Sequence, residues 1–107
     1  MIDKLKEIIV HFKSLETQML DPELMNDQNR YTEMAKEHRR LGSIVEKSKV
    51  YISIQEQIDD DNEILAGDDD ELKNIAQAEI EELQEALQSQ EEELNPIFTQ
   101  TPKYYPL

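Results

Sequence analysis

Two histidines, His11 and His38, are the side chains in this sequence best suited to chemistry. A helical metal pair needs a second histidine three or four residues away, and neither histidine has one. His38 lies on an apolar stripe, which predicts a packed, hydrogen-bonded ring, whereas His11 lies just off its stripe. Nucleophilic catalysis needs a nucleophile, a base and an orienting group in one cleft, and no cleft is predicted. We therefore expect no enzyme activity and assign no catalytic, cofactor-binding or metal-binding residue.

The acid-rich stretch 59–71 is the next candidate for chemistry. A calcium loop of the EF-hand type needs glycine at its sixth position and oxygen ligands at the first, third and fifth. Counting back from Gly67 places Ile64 and Ala66 at two ligand positions, so the motif fails. The chain has no cysteine, which excludes thiolate metal sites and thiol nucleophiles.

The acidic residues are concentrated in the second half of the chain. Residues 1–55 hold nine acidic and nine basic residues, whereas residues 56–94 hold sixteen acidic residues and one basic residue, Lys73. Such a surface repels phosphate, so we expect a neutral or basic protein partner rather than DNA or RNA along that half. A solvated acidic helix face is the alternative. No apolar run is long enough for a membrane span, which predicts a cytoplasmic protein with no membrane partner.

Basic side chains cluster in residues 36–40, which include Arg39 and Arg40. On a helix these two arginines could make weak contacts with RNA phosphates. Alternatively, they pair with acids on a neighbouring helix.

Three amphipathic helices are predicted to position these residues. Apolar residues at steps of three and four predict a first helix over about residues 2–20, and Pro22 ends it. Asn26 or Asp27 can cap the second helix, whose stripe runs from Tyr31 past Leu41. The third helix follows the acid-rich stretch and is predicted to end at residue 94.

Glycines and prolines mark the predicted breaks. Gly42 precedes a capping box formed by Ser43 and Glu46, so we expect a kink or short break in the second helix. Gly67 suits a left-handed position after that helix, and Asp68 fits the start of the third. Short links force neighbouring helices to run antiparallel.

The predicted fold is therefore all-α. We expect an antiparallel three-helix bundle of coiled-coil character over residues 1–94, followed by an extended tail over residues 95–107 that starts near Pro96. A helical hairpin with a detached arm is the alternative architecture.

One segment, residues 20–46, resembles the start of the bacterial class I peptide chain release factors. The resemblance rests on Asp21-Pro22-Glu23, Asp27, Arg30-Tyr31, Ala35-Lys36-Glu37 and Ile44-Val45-Glu46, and the later stretch 72–83 is similar to the next helix of the family. No tryptophan follows the turn at Asp21-Pro22-Glu23. In this respect the sequence is more similar to the release factors that read UAA and UAG than to those that read UAA and UGA.

The resemblance implies a helical domain that docks on the ribosome, at a ribosomal protein surface near the stalk base, during translation termination. The family's Gly-Gly-Gln loop, which promotes hydrolysis of peptidyl-tRNA, has no counterpart, because the chain contains no Gly-Gly pair. The stop-codon-reading tripeptide is also missing. Residues 95–107 depart from the family pattern, from which we expect an excised, truncated or frame-shifted product. A free-standing acidic coiled-coil adaptor, which binds a basic protein or self-associates, is the rival hypothesis.

Overall fold

The computed structural model describes the backbone of residues 1–100 and the side chains up to Ile97. Within this part of the chain all regular structure is helical, which confirms the all-α prediction. The four helices are α1 (Ile2–Met19), α2 (Pro22–Met25), α3 (Gln28–Leu65) and α4 (Asp70–Gln100).

The short helix α2 occupies the turn that follows α1. Asp21 is extended, with φ −70° and ψ 122°, and its side chain accepts a hydrogen bond from the Glu23 amide at 3.0 Å. Pro22 then fills the first helical position, where its missing N–H would have no partner in any case. The sequence does not predict this helix, because four residues are too few to show a helical period.

Aspartates also cap the two long helices that follow. Asp27 accepts from the Arg30 amide at 3.2 Å and so begins α3, as one of the two predicted caps. Asp69 accepts from the Leu72 amide at 3.1 Å and begins α4. The prediction of Asp68 at this position is therefore wrong by one residue. The predicted left-handed conformation of Gly67 is also wrong, because Gly67 does not have a positive φ.

Helix α3 is continuous through Gly42, so the short break expected there is absent. A Cβ atom added at Gly42 would lie 3.8 Å from Phe12 Cε1, an ordinary van der Waals distance. The Ser43 hydroxyl donates to the Arg40 carbonyl at 3.4 Å instead of capping a new helix. Nothing in the local packing therefore requires a helix end at this position.

The chain divides into two compact units between Ser48 and Lys49, within α3. Unit 1 is residues 1–48. Glu16 of α1 meets His38 of α3, whereas Phe12, one turn earlier, lies beside Gly42, one turn later, so α1 and this part of α3 run antiparallel. The buried apolar residues of unit 1 are Leu5, Ile8, Leu15, Leu24, Leu41, Ile44 and Val45.

Unit 2, which begins at Lys49, contains the rest of α3 and α4. Its buried apolar residues are Tyr51, Ile54, Ile58, Ala76, Ile80 and Leu94. The predicted stripe of the second helix continued through Ile52 and Gln55, but both are only partly buried. The adjoining row through Tyr51 and Ile58 is the buried one.

Helix α4 continues through Pro96 to Gln100. The prediction that this helix ends at residue 94 is therefore wrong. Proline removes one backbone donor and often bends a helix, but the helix can resume on either side of it. The part of the predicted tail from residue 101 onward lies outside the described residues.

Candidate functional site

His11 and Glu37 join α1 to α3 in unit 1. His11 Nε2 lies 3.0 Å from Glu37 Oε1 in a hydrogen bond, and Arg40 Nη2 lies 3.9 Å from the same oxygen. The carboxylate thus faces two nitrogen groups at once. Such an arrangement stabilises the contact between the two helices.

His38 is packed, as the sequence predicted, but its Nε2 atom makes no hydrogen bond, contrary to the other part of that prediction. Its ring stacks on Phe12 with centroids 4.3 Å apart and an interplanar angle of 15°. Glu16 Oε2 lies 3.3 Å from His38 Nε2, but the angles are not those of a hydrogen bond. The close carboxylate and the stacked ring together indicate a structural histidine.

The two arginines proposed for RNA contact have different environments. Arg39 is exposed, and Lys36, three residues earlier on α3, is exposed on the same helix face. Arg40 is partly buried and is paired with Glu37 of its own helix. Arg39 is therefore the more accessible of the two to a phosphate.

Tyr51 and Glu91 join α3 to α4 in unit 2. The Tyr51 hydroxyl donates to Glu91 Oε1 at 2.7 Å, and the Tyr51 residue is 5% exposed. Burial, followed by the hydrogen bond and the negative charge of Glu91, raises the pKa of Tyr51 to about 12. This contact requires a neutral phenol, so it is structural at neutral pH.

Asp61 and Glu79 form a second contact between α3 and α4, and both are acidic. Asp61 is 7% exposed, and its Oδ2 atom is buried without a hydrogen-bond partner. The hydrogen bond that the protonated Glu79 carboxyl donates to Asp61, followed by the negative charge of Asp61, raises the pKa of Glu79 above its ordinary value. Residues 51 and 61 of α3 thus meet residues 91 and 79 of α4, which shows that the two helices run antiparallel.

Large apolar side chains are exposed at the end of unit 2 where α3 and α4 are connected. Ile64 is 37% exposed, Leu72 48% and Ile75 63%. The apolar residues at helical spacing in α4 predict that Leu72 is buried, and that prediction is wrong. The run of aspartates before α4 could have warned of it, because an apolar residue in a highly charged first turn has few apolar neighbours.

Other features of the described residues do not form a reactive site. No group of three or more histidines and carboxylates in this part of the chain could hold a metal ion. Among the helices described, none is long and apolar enough to cross a membrane. A cavity of about 240 Å³ beside α2 is lined by Asp21 and Asp27, whose side chains already accept backbone hydrogen bonds.

Comparison with known proteins identifies the family. The model of the PCRF domain matches residues 8–104, almost the whole chain. The chain belongs to the PCRF domain family. This result confirms the resemblance to the class I peptide chain release factors that residues 20–46 carry.

Curated relatives of this PCRF-domain chain include three proteins named peptide chain release factor 1. The protein of Syntrophus aciditrophicus is 38% identical over 98 residues, which is 92% of this chain and 28% of the relative. The protein of Lactobacillus gasseri is 35% identical over 96 residues, or 89% of this chain and 26% of the relative. The protein of Alkaliphilus metalliredigens is 34% identical over 103 residues, or 94% of this chain and 29% of the relative.

The PCRF-domain chain thus spans little more than a quarter of the length of these relatives. No solved structure matches it significantly. The comparisons establish the family and a partial correspondence to release factors in translation termination.

Proposed function

We propose that this chain acts in translation termination as the helical N-terminal domain of a peptide chain release factor and docks on the ribosome in the cytoplasm. The observation that carries the proposal is the match of the PCRF domain over residues 8–104. The 107 residues contain no Gly-Gly pair, and the described residues contain no group of histidines and carboxylates that could hold a metal ion. The chain by itself would therefore neither hydrolyse peptidyl-tRNA nor read a stop codon.

The proposed partner surface is a ribosomal protein near the stalk base. The charge of unit 2 supports a protein rather than RNA as the partner, because its described residues hold sixteen acidic and two basic side chains. In unit 1, Arg39 is exposed and supports a weak additional contact with RNA phosphate. Arg40 would contribute less, because it already faces Glu37.

Sedimentation with purified bacterial ribosomes tests the docking proposal directly. We expect the chain to sediment with ribosomes and to slow peptide release by the intact release factor 1 of Syntrophus aciditrophicus. The chain should not release peptide when it is added alone. The proposal fails if the chain neither associates with ribosomes nor competes with the intact factor.

The RNA contact is tested by Arg39→Ala, with Lys13→Ala on an exposed position of α1 as the matched control. We expect Arg39→Ala to weaken ribosome binding about two- to fivefold, and to reduce its salt dependence by about one phosphate contact. Equal effects of the two substitutions would show that the contribution of Arg39 is general charge rather than a local contact.

We further propose that the chain corresponds to the release factor type that reads UAA and UAG, which the absence of tryptophan supports. A chimera tests this proposal. Residues 1–100 would replace the matched region of the release factor 1 of Syntrophus aciditrophicus. Because the rest of that protein reads the codon, a second chimera built on a release factor that reads UAA and UGA is the comparison. Faster release by the first chimera is expected, whereas faster release by the second would contradict the assignment.

The alternative function is a free-standing acidic helical adaptor. The exposed apolar residues Leu72 and Ile75 favour it, because such residues are often covered by another protein. Analytical ultracentrifugation separates the two hypotheses. A stable oligomer that depends on concentration supports the adaptor, and a monomer that binds ribosomes supports the docking domain.

A further inference from the structure

Helix α2 of unit 1 is bordered by an exposed apolar side chain at each of its ends. Leu20, two residues before Pro22, is 75% exposed, and Met25, the last residue of the helix, is 52% exposed. A helix of four residues is roughly 6 Å long, so both side chains belong to the same small region. Large apolar side chains exposed within one region are typical of surfaces that another molecule covers.

A cavity lies beside Met25, between the end of α2 and the first turns of α3. Its volume is about 330 Å³, and its lining residues are Met25, Gln28, Tyr31 and Thr32. An apolar cavity of roughly 150 Å³ is large enough to bind benzene, so this one can accept an aliphatic or aromatic side chain. The thioether of Met25 and the ring of Tyr31 are the apolar surfaces that such a side chain would contact. We call Leu20 and these four lining residues the α2 surface.

The backbone beneath the α2 surface is held by hydrogen bonds within the chain. The Asp21 side chain accepts from the Glu23 amide at 3.0 Å. The Asp27 side chain accepts from the Arg30 amide at 3.2 Å, and the Asp27 amide donates to the Leu24 carbonyl at 2.9 Å. Because these groups are already paired, a partner would contact side chains of a surface that is formed in advance. Such a surface loses less conformational entropy on binding.

The charges around the α2 surface select the sign of its partner. Residues 20–33 hold four exposed acidic side chains and one exposed basic side chain, Arg30. Two of the acids, Asp27 and Glu33, directly adjoin lining residues of the cavity in the chain. The remainder of unit 1 holds five acidic and seven basic side chains, so the excess of acid is confined to this end. A phosphate backbone would be repelled here, whereas lysine and arginine side chains would be attracted.

We infer that the α2 surface binds a basic polypeptide segment of another protein, which inserts one apolar side chain into the cavity and places its lysine or arginine side chains near Asp27 and Glu33. Leu20 widens the apolar area that the segment covers. This inference goes beyond the proposed function, because it depends on the residues of unit 1 and not on the ribosome.

A fluorescent dye at the rim of the cavity tests the inference. The chain has no natural cysteine, so Thr32→Cys can carry an environment-sensitive dye at one defined, exposed position. The probe is a synthetic amphipathic peptide of lysine and leucine. We expect the peptide to shift the emission of the dye to shorter wavelength, because a leucine side chain displaces water from the cavity. A peptide of lysine and serine should give no shift.

Val10→Cys with the same dye is the matched control, because Val10 is 67% exposed on another helix of unit 1. The acidic residues of unit 2 also attract a basic peptide, so total binding would not locate the site. The difference between the two dye positions does locate it.

Substitutions in the α2 surface separate its apolar part from its charge. Leu20→Ser with Met25→Ser should weaken the binding that the Thr32→Cys dye detects at least about tenfold. Glu33→Gln should weaken it about two- to fivefold at low salt, and Glu7→Gln, at an exposed position of α1, is the matched control. Because all the substituted side chains are exposed, each variant should keep its helical circular dichroism.

Three results would overturn the inference. The first is a shift at Thr32→Cys no larger than that at Val10→Cys. The second is unchanged affinity when Leu20 and Met25 are both replaced by serine. The third is a shift of the same size caused by single-stranded RNA or by an unlabelled second copy of the chain, because either would be a different occupant. None of these results bears on docking to the ribosome, which sedimentation tests separately.

Discussion

Units 1 and 2 are both helical, but polar side chains meet differently across their helices. In unit 1 the contacts between helices pair an imidazole with a carboxylate, as in His11 with Glu37. In unit 2 they pair a phenol with a carboxylate, Tyr51 with Glu91, or two carboxyl groups, Asp61 with Glu79. Unit 1 holds nine acidic and eight basic residues, whereas the described part of unit 2 holds sixteen and two.

This difference in charge balance affects both the stability of each unit and the kind of partner that each unit can bind. Unit 1 has nearly equal numbers of acidic and basic residues, so opposite charges can offset one another within it. Unit 2 folds on its apolar row despite repulsion among its acids, and a basic partner would remove part of that repulsion. The unit with less internal charge balance is therefore the one with more to gain from binding.

The largest expected effect on stability comes from truncating one core side chain in each unit. Leu41 is 0% and Ile80 4% exposed. Leu41→Ala and Ile80→Ala should each lower the free energy of unfolding by about 2–5 kcal/mol, because each leaves a cavity. Denaturant unfolding measures the loss, and hydrogen exchange identifies the unit that becomes less protected. A loss below about 1 kcal/mol would contradict the burial described for that position.

Tyr51→Phe tests the phenol contact of unit 2. At pH 7 it should cost about 0.5–1.5 kcal/mol, because the hydrogen bond to Glu91 is lost. The pKa of Tyr51 is raised to about 12, so the stabilisation from the neutral phenol is complete below pH 10 and is lost as the pH rises through about 12.

Stability measured between pH 8 and pH 12 should therefore fall less in Tyr51→Phe than in the original chain. Tyr31→Phe in unit 1 is the matched control. If the two variants have the same profile at high pH, the contact with Glu91 does not contribute in solution.

Gly42→Ala tests whether α3 in unit 1 needs its glycine. We expect a gain of about 0.5–1 kcal/mol, because alanine restricts the unfolded chain more and the added Cβ would lie 3.8 Å from Phe12 Cε1. Gly67→Ala, whose Cβ would lie 3.3 Å from the Ile64 carbonyl oxygen, is the control and should give no gain. Thermal unfolding measures both, and destabilisation by Gly42→Ala would show that α3 is not a regular helix there.

Glu79→Gln tests the like-charge contact of unit 2 and should have the smallest effect. The contact with Asp61 raises the pKa of Glu79, so the folded state favours the protonated side chain. That preference stabilises the fold below the ordinary carboxyl pKa and is lost as the pH rises through the folded value. Since glutamine resembles the protonated acid, Glu79→Gln should raise the melting temperature at pH 7 and have less effect near pH 3.

Glu85→Gln, at another exposed position of α4, is the control for Glu79→Gln. It removes the same charge at a site where no contact with Asp61 is described. An equal rise in both variants would mean that the gain comes from net charge alone, and the pair with Asp61 would then have no special role.

The long helices were predictable because each has an apolar row at helical spacing. Asp27 was also predictable as one of two candidate caps. The apolar stripe of the helix starts at Tyr31, and only Asn26 and Asp27 were proposed as caps before it. The cap of α4 was less certain because three consecutive aspartates, residues 68–70, could all fill it. Only the structure shows that Asp69 accepts the hydrogen bond.

Contacts between helices were not predictable from the sequence. A single sequence gives the face of each helix but not the register between two helices. His11 with Glu37 and Asp61 with Glu79 depend on that register. The exposed state of Leu72 depends on it as well, because an apolar position near a helix end is buried only if a partner residue reaches it.

The continuation of α4 past Pro96 decides where the chain can be shortened without loss of helical structure. Leu94 is 0% exposed, and α4 continues to Gln100. A fragment that stopped at residue 94 would leave the last four carbonyl groups without intrahelical donors, so the turn that carries Leu94 would fray. A shortened protein or a fluorescent fusion should therefore keep residues 1–100, with the junction placed after the last helical residue.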